Sequence, residues 1–537
     1  MAIGEEDGAG RLLRRRTSRR ALLAGAVTAA AGGVAGAAGY AATHTLGSEG
    51  TGGNSLVVPG VATDGATPGP EPLELIADPL ARAAHLLRRA GWGGTPAQTE
   101  EFAALTREQA AERLLDYATI DNAALDARIA SAGFNLTTPG PGLDKKRPPL
   151  VRDIQRWWLM RMCYTARPLE ERMAYIWHGL LVSGVSQVGG GLAKLLVTQN
   201  ELYRSLALAR YDDLLQAVSK DPAMMIYLNT VDSTKEHPNE NYARELMELF
   251  SMGEGNYTED DVRESARAFT GWRFSRPNEK PPGGLSAEEV QEWRDQQIAA
   301  WQPAFYLQAK LHDAGTKTFL GKTGNFGGED IVSIIMEQAA TGRFIVRRLF
   351  RELAYRDPDE AVIERLLGVW DSSGHSVREV VRAILVSDEF YSTRAYRGLV
   401  RSPVEFVVGA VRGLELETNF PSITAAAGMD QQLFNPPNVA GWPGGGSWLS
   451  SGTFFARLNF LDSSLFPRGK ALPIPVLASQ PTAEAMVDEA LRRLVDGSIP
   501  AASRAALIGF AQQLSNPDER AASVAYLVLA SPEYQLN

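Results

Sequence analysis

A histidine and several carboxylates occur close together in one short stretch of the chain. The segment from His237 to Glu248 is predicted to contain a helix that Asn239 caps. Asn241, Glu245 and Glu248 then fall at i, i+4 and i+7, on one face of that helix. Carboxylates beside a histidine suit acid–base catalysis or the binding of a hard metal ion. This segment is therefore the first candidate for a chemical site.

The same helix also fits a plainer interpretation, a charged stripe that faces water. Arg244 would then pair with Glu240 or Glu248, and exposed ion pairs contribute only about 0–1 kcal/mol. In the functional interpretation, His237 and the carboxylates Glu240, Glu245 and Glu248 are catalytic. Arg244 and Asn241 then contact the substrate. Two neighbouring carboxylates need a cation nearby. The histidine spacing matches no zinc signature such as His-Glu-x-x-His, so we favour a metal-free site and leave the metal unassigned.

Two further histidines and two tryptophans extend the candidate set. His178 follows a tryptophan on an apolar helix, where a buried core histidine is the ordinary explanation. His312 occurs in a polar loop, where functional residues concentrate. We include both in the candidate catalytic set. Trp442 and Trp448 flank a Pro/Gly-rich loop, and their rings suit either stacking on a substrate sugar or filling an interface.

The elements that must position these residues are predicted to be mainly helices. Apolar residues recur with helical spacing through most of the chain, and a parallel sheet is not required. We expect a mainly α fold, a large bilobal helical domain with at most a small β-hairpin. The strand candidates are Ala304 to Gln308 and Lys317 to Leu320. The predicted units are an N-terminal helical lobe over 75–274, a polar insertion over 275–301 and a C-terminal helical lobe over 302–537.

The first 42 residues have the pattern of a twin-arginine export signal. Arg19 and Arg20 precede an uncharged, Ala/Gly-rich run from Ala21 to Ala42. A flexible linker is predicted over 43–74. The mature protein is expected to be secreted or extracytoplasmic. If the signal is retained it becomes a membrane anchor, and membrane contact is expected through that segment only.

Composition excludes several classes of function. The chain carries a net charge of −9, which argues against a nucleic-acid partner, because phosphate contacts need clustered basic residues. Cys163 is the single cysteine, so neither an intrachain disulfide nor a thiolate metal cluster can form. The run Gly321-Lys322-Thr323 is not a phosphate-binding loop, since Thr316 stands where the motif needs its first glycine.

Several longer segments are too particular to be generic helix. They are His85 to Gly93, Tyr175 to His178, Pro238 to Phe250, Gly255 to Val262, Thr270 to Trp272, His312 to Gly321 and Asn435 to Gly445. In this order they resemble the bacterial domain of unknown function 1800 family, over about Leu80 to Pro532. The resemblance implies an exported protein and a secreted, sulfatase-like partner. It implies no established reaction, and the cofactor stays unassigned.

One departure from the family pattern bears on the site. The family tends to have a second histidine soon after its tryptophan–histidine pair, whereas here Gly179-Leu180-Leu181 follows His178. A site built on two histidines at this position is therefore weakened.

Two functions remain open from the sequence. The first is an extracytoplasmic hydrolase with a Glu/His-lined cleft. The alternative is a non-catalytic helical module that binds the sulfatase-like partner or a cell-surface glycan. Convergence of His178, His237 and His312 with two carboxylates would favour the enzyme, and their separation would favour the binding module.

Overall fold

The computed structural model describes residues 73–137, 150–277, 280–417 and 423–537. Helices account for most of these residues, which confirms the mainly α fold. The predicted signal over 1–42 and nearly all of the predicted linker lie outside the described residues. Within the described ranges, no helix combines the length and apolar character that crossing a membrane requires.

The helices and strands follow one another along the chain as follows. The helices up to residue 300 are α1 (Pro79–Arg89), α2 (Pro96–Ala103), α3 (Arg107–Leu115), α4 (Ala123–Ala132), α5 (Leu150–Tyr164), α6 (Pro168–Leu180), α7 (Val185–Val188), α8 (Lys194–Ser205), α9 (Tyr211–Ser219), α10 (Pro222–Tyr227), α11 (Asn241–Glu248), α12 (Glu259–Ala268) and α13 (Ala287–Ala300). The later helices are α14 (Gly328–Met336), α15 (Ala339–Leu353), α16 (Glu360–Ser372), α17 (Val377–Leu385), α18 (Pro403–Gly413), α19 (Ile423–Gly428), α20 (Ser451–Leu465), α21 (Pro475–Ala478), α22 (Ala483–Val495), α23 (Ala501–Gln512), α24 (Pro517–Leu529) and α25 (Pro532–Gln535). The strands are β1 (Trp272–Phe274), β2 (Phe305–Leu307), β3 (Lys317–Phe319) and β4 (Lys322–Gly324).

The strands pair differently from the predicted single hairpin. β2 and β3 were the two strand candidates, but β2 pairs antiparallel with β1, and β3 pairs antiparallel with β4. The turn between β3 and β4 explains the second pairing. Leu320 and Gly321 have φ angles of 46° and 78°. Positive φ at both central residues is the geometry of a two-residue type I′ hairpin turn. β3 therefore pairs with β4, which follows it directly in the chain.

The polar segment over 275–301 contains one long helix, α13, which is held at its C-terminal end. The buried Lys194 ammonium donates to the backbone oxygens of Ile298, Ala299 and Trp301 at 3.1, 2.8 and 2.5 Å. The last carbonyls of a helix lack intrahelical partners and carry partial negative charge. A lysine with three donors satisfies them, which anchors the segment to α8.

A buried cluster of charges joins α5, α6 and α8. The carboxylate of Glu171 is completely buried and accepts from Arg161 Nε at 2.7 Å and Arg204 Nε at 2.8 Å. The indole Nε1 of Trp158 donates to the second carboxylate oxygen at 3.1 Å. Burial raises the pKa of Glu171, but the two arginines outweigh it and hold that pKa below its usual value. Glu171 is therefore an ionised group that two guanidiniums compensate.

Asp221 is a second buried carboxyl group, but its pKa is raised, whereas that of Glu171 is lowered. Its Oδ1 accepts from the backbone N–H of Met224 at 3.0 Å, which caps α10, and from Gln199 Nε2 at 2.7 Å. Among the described residues, no cation pairs with it. Burial raises its pKa to about 7, because these hydrogen bonds only partly replace the water that the charged form loses.

Contacts between distant parts of the chain close the fold. The buried apolar residues form one continuous cluster that includes Ala83 near one end of the described chain and Tyr534 near the other. Arg88 of α1 donates to both carboxylate oxygens of Asp496 at 2.8 and 2.6 Å, although 408 residues separate them. The predicted division into two lobes remains a prediction.

Candidate functional site

The exposed charges of α11 are paired with one another and with α12. Arg244 donates to both carboxylate oxygens of Glu259 at 2.8 and 2.9 Å and lies 3.5 Å from Glu240. The principal partner of Arg244 is therefore Glu259, which follows α11 in the chain, and not Glu240 or Glu248. Asn241 lies exposed in the first turn of α11. This part of the helix resembles the charged stripe of the plainer interpretation.

Glu245 and Glu248 form the less exposed part of the same helix. Burial, together with the nearby Glu248 carboxylate, raises the pKa of Glu245. Glu248 accepts a hydrogen bond from the phenolic O–H of Tyr257 at 2.7 Å. The expected repulsion between these two carboxylates is thus present. Burial raises the pKa of Tyr227, and the charge of Glu245 raises it further, which places Glu245 near that ring.

The predicted histidines divide into two places. His178 is buried, and its ring packs 5.1 Å from Trp158 and 5.6 Å from Trp442. Burial lowers the pKa of His178 to about 3, so this imidazole is neutral at physiological pH. His237 is exposed in a tight turn, whereas Nδ1 of His312 lies 2.9 Å from the carbonyl oxygen of Thr270.

The turn of His237 and the loop of His312 are neighbours. The backbone N–H of Lys235 donates to the carbonyl of Leu311 at 2.8 Å. His178 makes its ring contacts elsewhere, with the aromatic residues around Trp442. Across the described ranges, no three side chains of His, Cys, Asp or Glu are grouped so that they could hold a metal ion. The catalytic roles assigned to these residues remain predictions.

A different set of residues lines one cavity of the protein. This cavity has a volume of about 310 Å³ and lies between α6, α15, the N-terminal end of α18 and the loop that precedes α20. We call it the arginine cavity, because five guanidinium groups line it: Arg89, Arg172, Arg348, Arg351 and Arg356. The carboxylates in its wall are Glu352 and Glu405, which leaves a net of three positive charges.

The deepest two arginines are fixed by the surrounding helices. Arg89 is fully buried and donates from Nε to the carbonyl of Leu353 at 2.8 Å and from Nη2 to that of Ala354 at 3.0 Å. It therefore caps the C-terminal end of α15. Arg172 donates from Nη1 to Glu405 at 2.6 Å, and its guanidinium lies 5.2 Å from the ring centre of Trp92.

Glu405 pairs with Arg172 and caps α18, and both of these contacts are structural. Burial raises its pKa, but Arg172, the backbone N–H of Ser402 and Arg89 outweigh burial and hold the pKa at about 2. Its second oxygen accepts from that Ser402 N–H at 2.7 Å, which closes the N-terminal turn of α18. Glu405 is therefore ionised at any physiological pH and is already occupied on both oxygens.

Three arginines come from one face of α15 and the residues after it. Arg348 pairs with Glu352 at 3.0 Å. Arg351 and Arg356 make no hydrogen bond or ion pair with any described residue. Burial and the charges of Arg356 and Arg348 lower the pKa of Arg351, as expected where like charges crowd together. Two guanidiniums in the cavity wall are thus available to a ligand.

A glycine-rich loop forms the part of the cavity wall that Arg356 contacts. Trp442 is partly exposed, whereas Trp448 is almost fully buried, and both line the cavity. Gly445 has a φ of +60°, and a Cβ at this position would overlap the Arg356 guanidinium, with Cζ only 2.7 Å away. The absence of a side chain therefore lets Arg356 lie against the loop.

Three buried guanidinium nitrogens of residues that line the cavity have no acceptor among the described residues. They are Arg89 Nη1, Arg172 Nε and Arg348 Nε. A buried donor that is left unpaired costs about 1–3 kcal/mol, and more when it is charged. The net positive charge, together with the unpaired Arg351 and Arg356, makes this cavity suited to an anion, since arginine matches carboxylate, sulfate and phosphate oxygens.

Comparison with known protein families identifies the chain. A family model described as "Protein of unknown function (DUF1800)" matches residues 85–536. The chain belongs to the DUF1800 family. This confirms the resemblance drawn from the sequence segments. No curated protein and no solved structure matches the chain.

The DUF1800 match covers all five arginines of the cavity as well as α11. Of the residues predicted for the site, Trp442 and Trp448 line the arginine cavity, whereas none of the predicted catalytic residues does. Sequence reasoning missed the arginines. One signal was present, since Arg348 and Arg351 are spaced i, i+3 and Arg356 follows within two turns.

Proposed function

We propose that this DUF1800 protein is an extracytoplasmic, non-catalytic helical module that binds an anionic ligand in the arginine cavity. The observation that carries the proposal is a cavity with a net of three positive charges in a chain whose net charge is −9. Two of its guanidiniums, Arg351 and Arg356, have no described partner. An arginine cluster of this kind attracts and holds anions.

Binding fits the cavity better than hydrolysis does. Glycoside or ester hydrolysis by carboxylates needs one group that can give a proton and another that stays ionised. Glu405 is ionised and engaged with Arg172, and Glu352 is paired with Arg348. The hydrolase hypothesis would depend instead on Glu245, whose raised pKa suits a general acid, and it is the second candidate.

A cell-surface glycan with acidic groups is the ligand that the cavity suits best. Trp442 lines the same cavity as the arginines and is partly exposed, so it offers an apolar ring surface beside the charges. Aromatic rings stack on sugar faces, and guanidiniums bind the charged substituents. A secreted sulfatase-like protein remains the other partner that the family resemblance suggests, and the export signal over 1–42 is part of the same proposal.

The proposal is tested by melting the full chain with acidic and neutral polysaccharides. We expect oligogalacturonate or chondroitin sulfate to raise the melting temperature, because a ligand at a hundred times its Kd adds about 2.7 kcal/mol to stability. Neutral dextran should have no effect. The double variant Arg351→Gln/Arg356→Gln should lose at least tenfold in affinity for the acidic chains.

A matched control for that variant removes a positive charge elsewhere. Arg294 is exposed on α13 and does not line the cavity, so Arg294→Gln should bind like the wild type. The proposal would be refuted if the double variant bound acidic chains as tightly as the wild type does. It would also be refuted if dextran stabilised the protein as much as the acidic chains do.

Gly445→Ala should weaken anion binding without removing any charge. The new methyl group would displace the Arg356 guanidinium, and the φ of +60° adds a further cost of about 1 kcal/mol. We expect an affinity loss similar to that of Arg356→Gln in the same melting experiment. Gly446→Ala is the matched control, because a Cβ there meets no atom within 4 Å. Equal affinity in both alanine variants would contradict this account of the loop.

A further inference from the structure

The loop that carries Trp442 into the wall of the arginine cavity begins at Phe434, whose backbone conformation is unusual. Phe434 is 1% exposed and has a φ of 60°, in the left-handed region that bulky residues rarely adopt. Its backbone N–H donates to Nε2 of His178 at 3.3 Å, and its carbonyl accepts from the N–H of Val185 at 2.8 Å. Such a conformation persists only where the surrounding structure fixes it. These two contacts therefore set the direction in which the loop leaves the core.

The same loop meets α6 a second time at Gly441. A Cβ at Gly441 would lie 2.6 Å from the carbonyl oxygen of Gly179, so the loop backbone packs directly on the residue that follows His178. Trp442 comes next, and its ring centre lies 5.6 Å from that of His178. Trp442 is partly exposed in the cavity wall, whereas His178 is 1% exposed and does not line the cavity. His178 therefore supports this part of the wall from the protein interior.

The imidazole of His178 supplies both the hydrogen bond and the ring contact. Because the N–H of Phe434 is a donor, Nε2 of His178 is the acceptor, which places the imidazole proton on Nδ1. Burial lowers the pKa of His178 to about 3, so this acceptor is present at physiological pH. An apolar side chain at this position would leave the buried N–H of Phe434 without a partner.

We propose that His178 is the positioning residue for Trp442, and that it thereby sets how tightly the arginine cavity binds the sugar ring of an acidic ligand. This inference rests on the proposed function, in which guanidiniums bind the charged groups and Trp442 contacts the ring. His178 acts through the loop, because it does not itself line the cavity. Its loss should therefore weaken recognition of the ring and spare the attraction of charge.

Two ligands of equal charge separate recognition of the ring from attraction of charge. Tetragalacturonate carries its four carboxylates on sugar rings, whereas tetraglutamate with capped ends carries four carboxylates on a peptide without rings. Isothermal titration calorimetry of the full chain at neutral pH measures the affinity for each. We expect the wild type to bind tetragalacturonate about tenfold more tightly than tetraglutamate, because Trp442 adds a contact for the ring.

Two substitutions of His178 distinguish the hydrogen bond from the filling of space. His178→Gln keeps an acceptor for the N–H of Phe434, whereas His178→Phe keeps a flat ring and removes the acceptor. We expect His178→Phe to weaken tetragalacturonate binding about tenfold and tetraglutamate binding less than about twofold. His178→Gln should bind both ligands within about threefold of the wild type. Equal losses for the two ligands in His178→Phe, or a loss in His178→Gln as large as in His178→Phe, would overturn the inference.

Gly441→Ala moves the loop without altering His178, and it carries the test if His178→Phe does not fold. Its methyl group would push the loop away from Gly179, so we expect the same selective loss of tetragalacturonate binding. Gly497→Ala is the matched control, because Gly497 also has a positive φ, of 71°, but a Cβ there meets no atom within 4 Å. An unchanged affinity for tetragalacturonate in Gly441→Ala, or an equal loss for both ligands, would contradict the inference.

The failure of this inference differs from the failure of the proposed function. If the His178 and Gly441 variants bind tetragalacturonate like the wild type, while Arg351→Gln/Arg356→Gln loses it, the inference is wrong and the proposed function stands. Equal affinity of the wild type for the two ligands would likewise overturn the inference alone. If the wild type binds neither ligand, both are wrong.

Discussion

Replacing Glu171 with glutamine is expected to lower the free energy of unfolding by about 3–5 kcal/mol. The carboxylate is completely buried between Arg161 and Arg204, whose side chains are only 12% and 5% exposed. Glutamine keeps the size of the side chain but removes the negative charge, so the buried guanidiniums of Arg161 and Arg204 lose the carboxylate that they share. Urea denaturation of the full chain measures the change.

Glu201→Gln is the matched control for this prediction. Glu201 pairs with the same Arg204 at 2.6 Å, but its side chain is 50% exposed. Removing its charge should therefore cost less than about 1 kcal/mol, the usual value for a surface ion pair. Similar losses in Glu171→Gln and Glu201→Gln would mean that burial does not set the strength of this cluster.

Asp221→Asn should change how stability depends on pH. The pKa of Asp221 is about 7 in the folded protein, against 3.8 for an exposed aspartate. Between these values the folded state holds a proton that the unfolded state has lost, so this residue makes the protein less stable as the pH rises from 4 to 7. At 1.36 kcal/mol per pKa unit, the wild type should lose about 2–3 kcal/mol relative to the variant between pH 5 and pH 8.

The measurement compares wild type and variant at each pH. Both chains share every other titrating group, including His178, whose lowered pKa has the opposite effect, since it destabilises the protein as the pH falls from about 6.5 towards 3. The difference between the two curves therefore reports on Asp221 alone. Asp430→Asn, at an exposed position, is the control. A difference that stays constant from pH 5 to pH 8 would refute the buried, proton-holding state of Asp221.

Helical periodicity predicts most of this fold, whereas the pairing of the strands could not be predicted from the sequence. Helices depend on contacts within a few residues, so the spacing of apolar residues and caps is sufficient to locate them. β1 has three residues, too few for an alternating pattern, and its partner β2 follows only after the polar segment over 275–301. Such pairing depends on packing that a single strand does not encode.

The arginine cavity is harder to predict for a related reason. Arg347 and Arg348 are adjacent in sequence, yet Arg347 pairs with Glu360 on the surface, whereas Arg348 lines the cavity. An arginine in a helix looks the same in sequence whether it faces water or other elements. Arg89 and Arg172 are farther still from α15 in the chain, so only the folded structure brings the five charges together.

The pairing of Arg88 with Asp496 also has a consequence for synthesis of the chain. A ribosome that adds roughly 5–20 residues per second needs roughly 20–80 s to extend the chain across the 408 residues between them. During that interval Arg88 lacks this partner. Arg89, the next residue of α1, likewise cannot bind the carbonyl of Leu353 until the chain is 264 residues longer. The nascent chain therefore remains open at its first described helix until translation is nearly complete, which makes this helix the natural place for a chaperone to act.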